Sequence, residues 1–275
     1  MTLFMDVSLS RRIERAEAAI NASFIDARAR LYPGVDVMWT SVGGTFLLFD
    51  GKGSQMTQTF GLGLWGPADS EHLSTVEAFF TERGADVVHE VSPLAGVELS
   101  ARLAERGYRP VEMATLLVRP LDEEAESHEE PSALRARVAR PEEAATWIET
   151  SVAGWSAHAD IAAKIRDVAT VAFSNPSLVS YLVERGGEPI ATASLGIHED
   201  VALLAGASTV AAERGRGAQR ALLDARLAEA KRRGCKMAVM GAEPGSGSQR
   251  NAERNGFRVA YTRTKWRLPS PAEHT

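Results

Sequence analysis

The chain repeats its own pattern across its middle, and that repeat constrains the fold more than any other feature. In the first half a helix pattern stops at Glu82-Arg83-Gly84. A strand-like run over 86–91 follows, then Pro93, then a helix pattern that ends at Arg106-Gly107-Tyr108-Arg109, and a last strand-like run over 111–119. In the second half a helix pattern stops at Arg232-Arg233-Gly234. A strand-like run over 236–241, Pro244, a helix pattern ending at Asn255-Gly256-Phe257 and a last run over 259–267 come after it. Gly84 to Tyr108 spans 24 positions and Gly234 to Phe257 spans 23. Glycine ends a helix because it takes the left-handed conformation of the stop without a Cβ clash, so matched glycines mark matched helix ends. We read two copies of one fold, about 120 to 140 residues each. The first covers 1–121 and the second 134–275. The acidic stretch 122–133, which lacks large apolar residues, reads as their linker.

Hydropathy patterning in the second half gives the order β-α-α-β-β-β-α-β-α-β. Its strands are expected over 134–139, 178–184, 189–197, 201–210, 236–241 and 259–267, and its helices over 141–155, 159–173 and 218–233. Ala221, Leu222, Ala225 and Ala228 share one face of the last of these. The fold class is α/β with a mixed sheet: two tandem domains, each a mostly antiparallel sheet flanked by helices.

The chemistry concentrates at Arg214-Gly215-Arg216-Gly217-Ala218-Gln219, between a strand-like run and a helix start. A glycine turn there can aim several backbone N–H groups at one point. The helix N-terminus adds partial positive charge, and the arginines add full charge, so the turn suits a phosphate or pyrophosphate. It is not the P-loop, since Gly-x-x-x-x-Gly-Lys-Ser/Thr occurs nowhere; Asp50-Gly51-Lys52-Gly53-Ser54 imitates only its end and reads as a hairpin turn. The dinucleotide fingerprint would need glycine at Arg220. The matching turn of the first half, Phe60 to Asp69, has no arginine and places Asp69 and Glu71 at the helix start, where they would cap the helix and repel a pyrophosphate.

The Arg214–Gln219 turn resembles the acetyl-CoA loop of the GCN5-related N-acetyltransferases, the GNAT superfamily, which reads Gln/Arg-x-x-Gly-x-Gly/Ala. Arg214 and Gly217 fill it, and Gln219 departs from the usual small residue. The element order matches that fold over 134–267 and more faintly over 35–120. Ser246 to Phe257 is similar to the Asn…Gly-Phe segment of the family's last helix.

The resemblance implies direct transfer of an acetyl group from acetyl-CoA to the amine of a small molecule, with no metal. The fourth strand would open from the fifth to admit acetylpantetheine. A backbone N–H at Thr209 or Val210 would polarise the thioester carbonyl, with Val210 the choice for the catalytic donor. Ala211, Ala212, Arg214, Gly215, Arg216, Gly217, Ala218 and Gln219 would hold pantetheine and pyrophosphate. Ser248, Asn251 and Arg254 would meet CoA from the last helix, Asn251 near its sulfur. Many relatives place a thiolate-protonating tyrosine where this chain has Ala252. Tyr261 is a substitute or a core residue. Glu243 at the end of the fifth strand is the candidate base, beside a water chain and the polar turn His198-Glu199-Asp200. His158 and Trp155 lie where acceptor pockets form in this family.

Composition narrows the field. Net charge is −5, yet residues 1–130 hold 11 Lys/Arg against 21 Asp/Glu, and residues 131–275 hold 20 against 15. The basic half carries the glycine turn, as a polyanionic ligand requires. The basic residues lack interleaved aromatics, which argues against nucleic acid. No run of 18 apolar residues and no signal-peptide pattern occur, and Cys235 is the lone cysteine, so we expect no membrane span, no disulfide and a cytoplasmic setting. Cys235 reads as a buried structural thiol. The expected partner is a small-molecule amine, and the expected state is monomer or homodimer. Two other functions stay open: a catalytically silent CoA-binding or regulatory protein, and a transferase for another acyl group or for protein N-termini.

Overall fold

The structure is a computed structural model that describes residues 4–121, 134–155 and 159–270. The linker 122–133 and His158 lie outside the described residues. The described residues divide into two compact units. Unit 1 holds those up to Val118, Gly241–Glu253 and those from Phe257 on; unit 2 holds Arg119–Met240 and Arg254–Gly256. This is not the division into sequence halves, because the last strand of the chain belongs with the first half.

Unit 1 begins with helix α1 (Val7–Leu31), whose N-cap Asp6 accepts from the Leu9 N–H at 2.8 Å. Leu9, Ile13, Ala16, Ile20, Phe24 and Ala27 recur at helical spacing and are buried. Strands β1 (Met38–Val42), β2 (Thr45–Phe49) and β3 (Gln58–Phe60) follow, then α2 (Ser70–Thr81), β4 (Val87–Val91), α3 (Val97–Glu105) and β5 (Arg109–Pro120). The 50–54 segment connects antiparallel β2 and β3 as a turn, with the Ser54 hydroxyl on Asp50 at 2.6 Å. Helix α7 (Gly247–Arg254) and strand β11 (Arg258–Leu268) complete the unit. Its strand order is β1-β2-β3-β4-β11-β5. So β11 enters between β4 and β5, antiparallel to both.

Polar groups fix that insertion. Arg263 of β11 is buried and forms a two-point pair with Glu17 at 2.7 and 2.8 Å, with Glu90 at 2.9 Å and Glu14 at 3.5 Å. Lys265 meets Glu90 at 3.3 Å, and Tyr261 donates to Glu14 at 2.8 Å. Burial raises the Glu14 carboxyl above its usual range, with the Arg263 charge opposing. Around it, Arg263 and Lys265 face buried Glu90, half-buried Glu17 and exposed Glu112. Pairing of opposite charges offsets the cost of taking Glu90 and Arg263 out of water.

A second buried chain crosses unit 1. Arg106 holds Glu77, and Tyr108 donates to Glu77 at 3.2 Å. A carboxylate only accepts, so the tyrosine oxygen accepts from His89 Nε2 at 3.0 Å, and His89 Nδ1 accepts from the Thr59 hydroxyl at 2.8 Å. Burial holds the imidazole neutral, its pKa lowered to about 3. The unfolded histidine protonates near pH 6.5, roughly, so this group's contribution is complete above that pH and is lost as the pH falls, by about 1.4 kcal/mol per unit. Glu14 acts in the opposite sense, since a raised carboxyl loses its contribution as the pH rises. Comparing wild type with His89→Phe isolates the histidine. Their stability difference in urea is expected to shift by about 2 kcal/mol against the wild type between pH 7 and pH 5. An unchanged difference would show that His89 is not held neutral.

Unit 2 contains β6 (Ala136–Val138), α4 (Ala144–Trp155), α5 (Ala159–Ser174), β7 (Leu178–Arg185), β8 (Glu188–His198), β9 (Val201–Thr209), α6 (Ala218–Arg232) and the start of β10 (Met237–Ala242). Its order is β6-β7-β8-β9-β10, antiparallel as far as β9, with β9 and β10 parallel. Trp147 of α4 is buried and donates to the Tyr181 carbonyl at 2.9 Å. The buried face of α6 is Ala218, Ala221, Leu222, Leu227 and Ala230; Ala228 of the expected stripe is exposed. Arg226 lies within that face, its donors on the Leu222 and Ser194 carbonyls. Cys235 is buried, and burial raises its thiol pKa. Among the described residues no helix is long and apolar enough to cross a membrane.

Candidate active site

Parallel β9 and β10 pair only over Val201–Leu203 with Met237–Val239. Strand β9 then runs on to Thr209 without further pairing to β10, so its edge on that side carries no strand ladder beyond Leu203. A bulge against β8 lies beyond that point, between the pairs Ser194–Ala205 and Thr192–Ser208. Gly206 sits in it at φ 62° and is exposed. The positive φ suits a residue with no Cβ, and a bulge bends the strand that carries it.

The outer end of β9 is held from three sides. Helix α4 approaches so closely at Gly154 that a Cβ there would lie 2.7 Å from Ser208 Cβ and 3.0 Å from the Thr209 nitrogen. Gln219 donates to the Thr209 hydroxyl at 2.8 Å. Arg214 places Nε on the Thr209 carbonyl at 3.2 Å and Nη2 on the Gly154 carbonyl at 2.9 Å.

The Val210 N–H donates to the Ile190 carbonyl of β8 at 2.9 Å. The N–H of Val210, the residue expected to supply the catalytic donor, is thus engaged with β8. Alternation along an antiparallel pair turns the neighbouring residue the other way, so the N–H of Thr209, opposite Ala191, points away from β8.

After β9, a single 3-10 turn over Ala211–Glu213 leads into the glycine turn. Gly215 and Gly217 take φ values of 72° and 87°. Gly217 is the N-cap of α6 and leaves its first turn without a side-chain cap or an acidic residue. Glu213 pairs with Arg185 at 3.2 Å and with Arg216 at 3.3 Å, and Arg185 also donates to the Arg216 carbonyl at 3.1 Å. The turn thus offers backbone N–H groups and a helix N-terminus beside exposed Arg216, an arrangement that holds anions.

The corresponding turn of unit 1 is closed. Asp69 caps α2 by accepting from the His72 N–H at 2.9 Å, with Glu71 in the first turn. The Trp65 ring packs so closely on Gly61 and Gly44 that a Cβ on either would overlap it. Arg15 lies over that ring at 5.2 Å, and Arg11 donates to the Leu64 carbonyl at 2.6 Å.

The remaining predicted residues separate clearly. His198, Glu199 and Asp200 form the β8–β9 turn, where the Asp200 carbonyl accepts from Lys236 at 2.7 Å. They stand at the paired end of β9 and β10, opposite the glycine turn along β9. Tyr261 is buried on Glu14, which excludes it as an acid in solvent contact. Ser248 and Asn251 lie on α7 in unit 1, Arg254 is exposed in unit 2, and Trp155 is exposed at the end of α4. Glu243 is exposed after β10, in the lining of a cavity of about 780 Å³ within unit 1 that also includes Val111, Glu112, Met113 and Ala242. Among the described residues no group of three His, Cys, Asp or Glu could hold a metal. The close contact of Gly154 with β9 escaped sequence reasoning. A glycine one residue from a helix end reads as a stop, not as a packing requirement.

Comparison with known proteins bears on this geometry. Residues 145–257 match the family model described as the Acetyltransferase (GNAT) family. No curated protein matches the sequence. Among solved structures, the chain is similar to a GCN5-related N-acetyltransferase from Kribbella flavida, with a TM-score of 0.63 and 19% identity over 93% of this chain and 97% of that one. A GCN5-related N-acetyltransferase from Sphaerobacter thermophilus aligns with a TM-score of 0.55 and 17% identity, over 95% of this chain and 93% of that one. A tandem GNAT protein from the clavulanic acid biosynthesis pathway gives 0.56 and 10%, over 92% and 94%. At these identities the likeness is one of fold.

Proposed function

From the match of residues 145–257 to the Acetyltransferase (GNAT) family model, we propose that the chain transfers acetyl from acetyl-CoA directly to the amine of a small molecule. The observation that supports this reading is the glycine turn at the start of α6, whose first helical turn holds no acidic residue, next to a strand that stops pairing with β10 after Leu203. The pyrophosphate binds the N–H groups of Gly215 to Gln219, with Arg216 adding charge. Pantetheine enters the cleft along β9 and completes hydrogen bonds that β10 does not make, near Ala211 and Ala212. The Thr209 N–H polarises the thioester carbonyl. Ser248, Asn251 and Arg254 contact CoA from the last helix.

The amine nitrogen attacks the thioester carbon, the C–N bond forms, and the C–S bond breaks as CoA leaves as thiolate. Glu243 takes the proton that the amine gives up, and the thiolate takes a proton from water. Glu243 and Glu112 in one cavity, with Val111 and Met113 beside them, favour an acceptor with a cationic amine and an apolar body. The first copy binds no CoA, because Trp65 and Asp69 occupy its turn. The protein acts as a monomer or homodimer in a cytoplasmic setting, with no metal, nucleic acid or membrane partner.

Titration calorimetry with acetyl-CoA should give one equivalent per chain, and an amine panel should then show turnover. Binding without turnover on any amine would replace this reading with a silent CoA-binding protein. For an accepted amine, Glu243→Gln is expected to lower turnover about 100-fold while acetyl-CoA affinity holds. Unchanged turnover would leave deprotonation to water.

A further inference from the structure

The first arginine of the glycine turn is expected to face phosphate, yet its side chain makes other bonds. Arg214 donates through Nε to the Thr209 carbonyl and through Nη2 to the Gly154 carbonyl. Both acceptors are backbone groups of unit 2, one at the end of β9 and one in the last turn of α4. The Gly154 carbonyl is among the last of its helix, where no intrahelical N–H is available to it, so a cation there is doubly favoured. Gln219, the residue that departs from the small one usual at its place, donates to the Thr209 hydroxyl. Two residues of the turn thus grip one residue of the strand, by its carbonyl and by its side chain.

We infer that Arg214 and Gln219 are positioning residues that fix the Thr209 peptide for the acyl group, and that Arg214 is not a phosphate ligand. This rests on the acetyl-CoA reading of the site. Thr209 stands just past a bulge and beyond the reach of β10 pairing, so the sheet alone holds it on one side only. A donor to a developing oxyanion must be aimed before the reaction, since a donor that has to reorient loses most of its effect. The Gly154 contact closes the third side, where a Cβ would displace the Thr209 nitrogen. The same bonds link the turn to the end of α4, so seating CoA and ordering that helix end are one event.

The test needs no acceptor. Acetyl-CoA labelled with carbon-13 at the thioester carbonyl is bound to wild type, Arg214→Ala, Arg214→Lys and Gln219→Ala, with affinity read by calorimetry and carbonyl polarisation by the infrared stretch. Arg232→Ala, an exposed arginine of α6 paired to Glu229, serves as the control. Wild type is expected to shift the stretch to lower frequency. Both Arg214 variants should bind within about threefold of wild type and lose most of that shift, since lysine keeps the charge but cannot reach two carbonyls at once. Once an acceptor is found, kcat should fall about 10- to 100-fold with the KM for acetyl-CoA nearly unchanged. Gln219→Ala should lose part of the shift, and it decides the matter if the Arg214 variants fail to fold by circular dichroism. Affinity lost tenfold or more in Arg214→Ala but kept in Arg214→Lys, with the stretch of the bound fraction unmoved, would make Arg214 a phosphate ligand and overturn the inference. Wild type that binds no acetyl-CoA would overturn the acetyl-CoA reading itself.

Discussion

Residues 1–121, expressed alone, are expected to show no cooperative unfolding transition. Sequence patterning makes this segment a whole domain, but its sheet lacks an interior strand. β11 occupies the place between β4 and β5, so the fragment leaves two strands with unpaired inner edges. It also leaves Glu14, Glu17 and Glu90 without Arg263 and Lys265. Removing one partner from a buried ionic cluster costs about 3–5 kcal/mol, and the loss here includes both cations. Such a loss, with the strand pairing, is comparable to the whole stability of a domain, roughly 5–15 kcal/mol. Urea titration followed by far-ultraviolet circular dichroism gives the answer. A second fragment, 1–121 fused by a flexible linker to 257–270, should regain a transition. A sharp transition in 1–121 without β11 would mean that β4 and β5 close on each other and that β11 is dispensable to unit 1.

Gly217→Glu should abolish acetyl-CoA binding and leave the fold intact. Gly217 is the N-cap of α6 at φ 87°, where any side chain costs about 1–2 kcal/mol of backbone strain. The carboxylate then lies at the turn that is to receive the pyrophosphate, and like charges about 4 Å apart near a protein surface repel by up to about 4 kcal/mol. A loss of 100-fold or more in affinity follows. Gly217→Ala separates the causes, since it carries the same strain without the charge and should retain measurable binding. Equal loss in both variants would assign the effect to backbone geometry. Undiminished binding in Gly217→Glu would remove the pyrophosphate from this turn.

The elements themselves were legible. The strand at 201–209, the helix from Ala218 and the glycine turn between them follow from alternation, helical spacing and two glycines, all local properties of the chain. The capping of α2 by Asp69 was legible for the same reason, since the acceptor and its N–H are three residues apart. That the Val210 N–H is engaged with β8 was not legible, because alternation along the strand does not reveal which parity faces β8. One hydrogen bond, Val210 to Ile190, decides that, and a bulge at Gly206 shifts the count. The packing of Trp65 on Gly61 and Gly44 was not legible, because a tryptophan in a glycine-rich loop has no periodicity that tells where its ring lies.

What the sequence determined by itself was the repeat, the kind and order of its elements, and the place of the glycine turn before α6, since each of these rests on contacts within a few residues. What only the tertiary structure decided was ownership. The strand at 258–268 closes the repeat of the second half, and its alternation fits an interior position in either half equally well. Arg263 and Tyr261 meet Glu14 some 247 residues and more away. Local propensity cannot choose between two matching sheets, and the pairing of buried Arg263 with Glu14, Glu17 and Glu90 in one of them can.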